Sequence, residues 1–162
     1  MQGGVFSYGL LCALAIALLF AAFTDLRRRQ IDNWLNAAIA LCAPLYWFAS
    51  GLGLYEIGLQ LAVALAAFAV LAGLFAIRAM GGGDVKLLTA LALWVKPAMF
   101  LELIVVMALA GGLITIVFGC WHIARRNRDR LAIPYGVAIA FGGIWTITNN
   151  YLSVMGGGSQ VG

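Results

Sequence analysis

Long apolar runs are the feature of this sequence that most restricts its fold. Six of them follow one another, at residues 5–23, 34–50, 57–77, 85–95, 98–121 and 133–152. A helix needs about 20 apolar residues to cross the hydrocarbon core of a bilayer, where it satisfies its own backbone hydrogen bonds. With 64% apolar and 10% charged residues, the composition excludes an ordinary soluble domain. We therefore expect an all-α membrane protein of six transmembrane helices, with one domain at residues 1–155 and a flexible tail at residues 156–162.

The fourth run is the weakest of these predicted spans. Lys86 and Lys96 limit it to a short apolar stretch, so we expect a tilted helix or lysines that reach both interfaces.

Basic residues indicate how the predicted helices are oriented. They cluster after the first, third and fifth runs: Arg27, Arg28, Arg29, Arg78, Lys86, Arg125, Arg126, Arg128 and Arg130. Only Lys96 falls on the other side. The positive-inside rule then puts these three connections in the cytosol and both termini outside. The net charge of +4 thus reflects topology and contact with anionic lipid, and no nucleic-acid partner is expected.

Asp25 ends the first run and is followed by three arginines. A carboxylate is disfavoured at a helix C-terminus by the macrodipole, and it is costly near hydrocarbon. Asp25 is therefore either an interfacial residue neutralised by the arginines or a functional group.

Asp84 follows Gly81, Gly82 and Gly83 in the connection before the fourth run. It could be the N-cap of the next helix, since Asp is favoured there. A phosphate-binding loop is not favoured, because Gly-Lys-Ser/Thr does not follow the glycines. Alternatively, residues without side chains allow another backbone to approach a catalytic Asp84 closely.

Asp25 and Asp84 fall at the same predicted depth, each at a cytosolic helix end. Two carboxyl groups that share a site cannot both ionise cheaply, so the pair holds one proton. Aspartic proteases use such a pair as general base and general acid.

Two motifs carry a resemblance to a known family. TDLRRRQIDN at residues 24–33 and GGGDVKLL at residues 81–88 resemble the type IV prepilin peptidases and their archaeal preflagellin relatives, which are intramembrane aspartic proteases of the GxGD type. IPYG at residues 133–136 is similar to a further stretch of that family. The resemblance implies a catalytic pair, Asp25 and Asp84. We expect no metal or other cofactor. We also expect substrate-binding or supporting roles for these residues: Gly81, Gly82, Gly83, Lys86, Asn33 and Pro134. Lys86 either biases the pair electrostatically or only extends to the interface.

The sequence departs from the family pattern at two points. Asp32 stands where relatives usually have Pro, and it is either a cap of the second helix or a rival for the first catalytic acid. The chain starts directly with the first run and has no N-terminal region with paired cysteines. By resemblance, we expect the short, peptidase-only type associated with Flp pili, and the resemblance does not extend to methyl transfer.

Other candidate residues point to structure rather than to chemistry. His122 has no second ligand at metal spacing, so we expect no metal site. The tryptophans are expected to form belts at the membrane interfaces: Trp34, Trp47, Trp94, Trp121 and Trp145.

The expected function is cleavage of the basic leader of a prepilin, at the cytosolic face of the bacterial inner membrane. Two alternatives stay open. In a small transporter the two aspartates would relay protons, and in a pilus-assembly scaffold they would only cap helices. The sequence predicts no particular oligomeric state.

Overall fold

The computed structural model describes residues 4–124 and 135–157, and these residues form six α-helices and no strand. The helices are α1 Val5–Arg28, α2 Asn33–Ala49, α3 Leu54–Ala76, α4 Gly82–Ala92, α5 Pro97–Ala124 and α6 Tyr135–Gly157. The all-helical prediction is confirmed for this part of the chain. Pro134, the arginines at residues 125–130 and the last five residues of the predicted tail lie outside it.

Three helices of the described residues are long and apolar enough to cross a membrane: α1, α3, and α5 over Pro97–Val117. Their outward faces carry large exposed apolar side chains, such as Leu65 and Leu109, each 70% exposed. An apolar surface of this extent is typical of contact with lipid. Six spans and the orientation of the termini stay predictions.

The short helix α4 forms the centre of the bundle. It packs against α2, α3, α5 and α6, and Leu87, Leu88 and Leu91 are fully buried. Its 11 residues rise about 16 Å, roughly half of a bilayer core. The helix begins at Gly82 and ends before Pro97, which starts α5, so it lies three residues earlier than the predicted span. Because other helices surround α4, its backbone does not face lipid, and full span length is unnecessary.

Two tryptophan side chains form hydrogen bonds between α2 and the C-terminal end of α4. Trp94 donates its indole N–H to the carbonyl of Ile39 at 2.8 Å, and Trp47 donates to the carbonyl of Leu93 at 2.7 Å. Both rings are buried, so the belt prediction is wrong for these two residues. The second bond satisfies a carbonyl at the end of α4, which no longer has a partner within the helix. Trp34 and Trp145 are exposed, as a belt requires, and the side chain of Trp121 lies outside the description.

The helix ends that form the candidate site lie at one end of the bundle. α1 and α3 end there, and α2, α4 and α6 begin there. Apart from Lys96, the basic residues that the structure describes also lie at this end, which corresponds to the predicted cytosolic side.

Candidate active site

Asp25 lies in the last turn of α1, and its side chain is 6% exposed. Its Oδ2 accepts a hydrogen bond of 2.7 Å from the backbone N–H of Gly136, in the first turn of α6. The first N–H groups of a helix lack partners within it, and the positive end of its macrodipole favours a negative group. Asp25 therefore lies at the unfavourable end of its own helix but at the favourable end of α6, which explains how a carboxylate is accommodated there.

Asp84 lies in the first turn of α4, three residues after the N-cap residue Gly81. The alternative that Asp84 itself is the N-cap is wrong, because the helix begins at Gly82. The Asp84 carboxylate instead accepts a hydrogen bond from the backbone N–H of Gly81, which is one half of a capping box. The Asp84 carboxylate thus lies at the N-terminus of its own helix, whereas the Asp25 carboxylate lies at the N-terminus of a neighbouring helix, α6.

The two carboxylates approach each other because α1 and α4 both pack against α6. Burial and, after it, the charge of Asp25 raise the pKa of Asp84 from 3.8 to about 6, against a lowering effect of the Gly81 hydrogen bond. Asp84 therefore holds a proton in weakly acidic solution. The pair can then present one proton donor and one proton acceptor to a bound molecule.

The three glycines before Asp84 have different neighbours. A β-carbon on Gly81 would lie 2.8 Å from Oδ2 of Asp84, so only glycine leaves that carboxylate uncovered. A β-carbon on Gly82 would lie 3.2 Å from the Phe75 ring, and one on Gly83 would lie 3.2 Å from Cβ of Ile31. Gly82 and Gly83 thus allow α4 to pack closely on α3 and on the α1–α2 connection. The sequence predicted that residues without side chains keep Asp84 accessible. Of the three glycines, only Gly81 has this role in the structure.

Lys86 and Asn33 lie at the edge of the site. Nζ of Lys86 donates a hydrogen bond of 2.7 Å to Oδ1 of Asn33, and both side chains are exposed. This bond joins the first turns of α2 and α4, so it supports the arrangement of the two helices.

Asp32 occupies the N-cap position of α2, as one of its two interpretations expected, although its side chain makes no capping hydrogen bond. Asp25, rather than Asp32, acts on Asp84 electrostatically. Pro134 lies outside the described residues.

Two contacts of the site were not anticipated from the sequence. Gly136, whose N–H binds Asp25, belongs to the IPYG stretch that also contains Pro134. Asn36 on α2 is 4% exposed, and its Nδ2 donates to the carbonyl of Gly83 at 3.4 Å. No motif distinguishes Asn36 from a polar residue at a helix end.

Fold and site together define a helical bundle with the surface of a membrane protein and two electrostatically interacting carboxylates at one end. Its family follows from comparison with known proteins: the chain belongs to the type IV leader peptidase family, whose model matches residues 12–120. The predicted resemblance is confirmed, and family membership makes the chain a peptidase. The matched range includes Asp25 and Asp84. Neither a curated protein nor a solved structure matches the chain.

Proposed function

We propose that this peptidase is an aspartic endopeptidase that removes the basic leader of a prepilin, with Asp25 and Asp84 as its catalytic pair. The observation that carries the proposal is that these two residues lie at one end of the bundle, near enough for the charge of Asp25 to raise the pKa of Asp84, within the range that the leader peptidase family matches. In the described residues, no three His, Cys, Asp or Glu side chains come together as metal ligands would. The proposed reaction needs only these two carboxyl groups and a water molecule.

The pair acts as a general base and a general acid. The ionised carboxylate of Asp25 takes a proton from a water molecule, whose oxygen forms a bond to the scissile carbonyl carbon. Asp84 donates its proton to the carbonyl oxygen, which gives a neutral tetrahedral intermediate. When the C–N bond breaks, the proton on Asp25 passes to the leaving nitrogen, and the intermediate returns a proton to Asp84 as the new carboxylic acid forms. The pair thus recovers its single shared proton.

The location of the pair supports a prepilin as substrate. With the basic end of the bundle in the cytosol, a basic leader stays on that side by the same charge rule, and an apolar segment after it enters the membrane. The scissile bond then lies at the depth of Asp25 and Asp84. We accordingly propose six spans in the bacterial inner membrane, outside termini and a Flp-type prepilin as substrate.

The scaffold alternative has one observation in its favour. Asp25 and Asp84 both accept backbone N–H groups at helix N-termini, as capping residues do. A cap keeps its function when Asp becomes Asn, whereas a titrating catalytic group does not. This difference separates the two functions.

Coexpression with a Flp-type prepilin tests the proposal. Membranes that contain the protein should convert the precursor to a shorter product, seen as a gel shift, with a new N-terminus identified by sequencing. Membranes with an Asp84→Asn variant at the same level should leave the precursor intact. A precursor that stays full length in wild-type membranes would exclude prepilin processing.

The pH dependence of cleavage should show the shared proton. The pKa of Asp84 is about 6, so kcat/KM, which reports the free enzyme, should fall about tenfold per pH unit above that value. The kcat profile should fall at a higher pH, because bound substrate excludes water and further disfavours ionisation. Initial rates in liposomes between about pH 5 and 8.5 measure both profiles. A kcat/KM that stays constant across this range would contradict the role of the Asp84 proton.

A further inference from the structure

A cleft opens at the basic end of the bundle, between the end of α3, the α3–α4 connection and the start of α6. It has a volume of about 550 Å³, a size typical of sites that bind a ligand. Phe75, Met80 and Tyr135 line it with largely apolar groups, and Arg78 and Gly81 line it on the side of the connection. Of its described lining residues, only Arg78 is charged.

The cleft adjoins both members of the catalytic pair. Gly81 donates its backbone N–H to the Asp84 carboxylate, and a β-carbon on Gly81 would lie 2.8 Å from Oδ2 of Asp84. Tyr135 precedes Gly136, whose N–H binds Asp25. A peptide that reaches Asp84 past Gly81 therefore has its neighbouring residues in or beside this cleft.

The leader is the part of the substrate that reaches this cleft. The cleft lies at the predicted cytosolic side, where the leader stays, whereas the apolar segment after the scissile bond enters the membrane. Arg78 repels the basic residues of the leader and attracts a negative group. The scissile peptide bond is neutral, but its hydrolysis creates such a group, the carboxylate at the new C-terminus of the leader.

The backbone at Arg78 shows that arginine is an unusual choice at this position. Arg78 has a positive φ of 61°, its N–H donates to the carbonyl of Phe75, and the N–H of Ala79 donates to the carbonyl of Leu74, both at 2.9 Å. These bonds form a Schellman motif at the end of α3, in which glycine or asparagine is favoured at the left-handed residue. The helix dipole also favours a cation here, but any position in the last turn would provide one without this backbone cost. Arg29, the other described non-glycine residue with a positive φ, also lies at this site, since its charge acts on the catalytic pair.

The proposed reaction gives a cation in the cleft a function. When the C–N bond has broken, Asp84 is protonated and Asp25 is ionised, so the new carboxylate of the leader forms beside a negative group. Carboxylates that share a site repel each other, whereas arginine binds a carboxylate through charge-assisted hydrogen bonds. We infer that Arg78 binds the carboxylate that cleavage creates at the C-terminus of the leader, so that the released leader is a product inhibitor. This inference rests on the proposed function and adds the recognition of one of its products.

Two forms of one synthetic leader peptide test the inference. The first ends in a free carboxylate, and the second ends in an amide, which imitates the uncleaved bond. In cleavage of the corresponding Flp-type prepilin in liposomes, the acid should have a Ki about tenfold below that of the amide. Arg78→Gly and Arg78→Asn should make the two Ki values equal, and both should remain folded because these residues suit the left-handed backbone. Arg78→Lys keeps the charge without the planar guanidinium, so it should retain only part of the preference.

Arg28→Gln is the matched control. Arg28 is an exposed arginine in the last turn of α1, at the same end of the bundle, and it does not line the cleft. The variant should keep the tenfold preference of the wild type for the acid. If Arg28→Gln reduces the preference as much as Arg78→Gly does, the general basic charge of this end is responsible and the assignment to Arg78 is wrong.

The remaining outcomes separate this inference from the proposed function. If the wild type cleaves the prepilin but the acid and the amide inhibit equally, or if Arg78→Gly retains the full preference, Arg78 does not bind the new carboxylate and the proposed function stands. If the wild type does not cleave the prepilin at all, the proposed function fails and this inference fails with it.

Discussion

Asp84→Asn and Asp25→Asn should each reduce leader cleavage by a factor on the order of 10³ or more, because each removes a proton donor or acceptor from the reaction. Asn has nearly the same shape as Asp and retains a capping oxygen, so the helix N-termini at which both residues lie should keep their contacts. The loss should appear in kcat, with binding of the uncleaved prepilin retained. Rates with purified variants in liposomes measure it.

Asp32→Asn is the matched control for this pair. Asp32 also lies at a helix N-terminus of the same end of the bundle, but Asp25 is the carboxylate that acts on Asp84. The variant should therefore cleave at close to the wild-type rate. If Asp32→Asn loses cleavage while Asp25→Asn keeps it, the first catalytic acid is Asp32 and the assignment of Asp25 is wrong.

Thermal stability separates loss of catalysis from loss of fold. The pKa of Asp84 is raised from 3.8 to about 6 in the folded chain, so the folded state loses stability relative to the unfolded state as pH rises between these values. A neutral Asn does not carry this penalty. Asp84→Asn should consequently have a thermal midpoint at pH 8 at or above that of the wild type. An inactive variant with a clearly lower midpoint would contradict this prediction, because loss of fold would then account for the loss of cleavage.

The helices could be predicted from the sequence because an apolar run in lipid must satisfy its own backbone hydrogen bonds, and an α-helix does so within one segment. The boundaries of α4 could not, since they depend on the tertiary surroundings. Leu87, Leu88 and Leu91 are apolar whether they face lipid or protein, and only the packed structure shows them fully buried within the bundle. The same reason explains Trp47 and Trp94: their indole groups suit an interface equally well, but here each N–H binds a carbonyl across the α2–α4 contact.

Of the candidate site, the two aspartates could be predicted from the sequence, but their structural neighbours could not. Asp25 and Asp84 stand out because carboxylates are rare beside apolar runs, and their motifs reinforce the signal. Their shared partner α6 could not be inferred, because the contact between Asp25 and Gly136 joins residues 111 positions apart. Asn36 could not be singled out either, since its hydrogen bond to the carbonyl of Gly83 exists only once α2 has packed on α4.

Gly136→Ala should reduce cleavage by about a hundredfold, although the changed residue carries no reacting group. A β-carbon at this position would lie 2.8 Å from Oδ2 of Asp25 and 3.0 Å from its Cβ and Cγ. The two helices are closely packed further along as well, since a β-carbon on Gly143, two turns along α6, would lie 2.9 Å from Leu18 of α1. The side chain of Asp25 must then move by about 1 Å, and a displacement of that size in a catalytic group costs on the order of 10² in rate.

The matched control is Gly112→Ala on α5, where an added β-carbon has no neighbour within 4 Å. Alanine is the better helix former by about 1 kcal/mol, so propensity alone should stabilise both variants. Gly112→Ala should therefore cleave prepilin at the wild-type rate, while Gly136→Ala should remain folded and cleave slowly. If both variants are fully active, the N-terminus of α6 does not position Asp25. If Asp25→Asn is inactive at the same time, Asp25 is catalytic but the geometry of its contact with Gly136 does not limit the reaction.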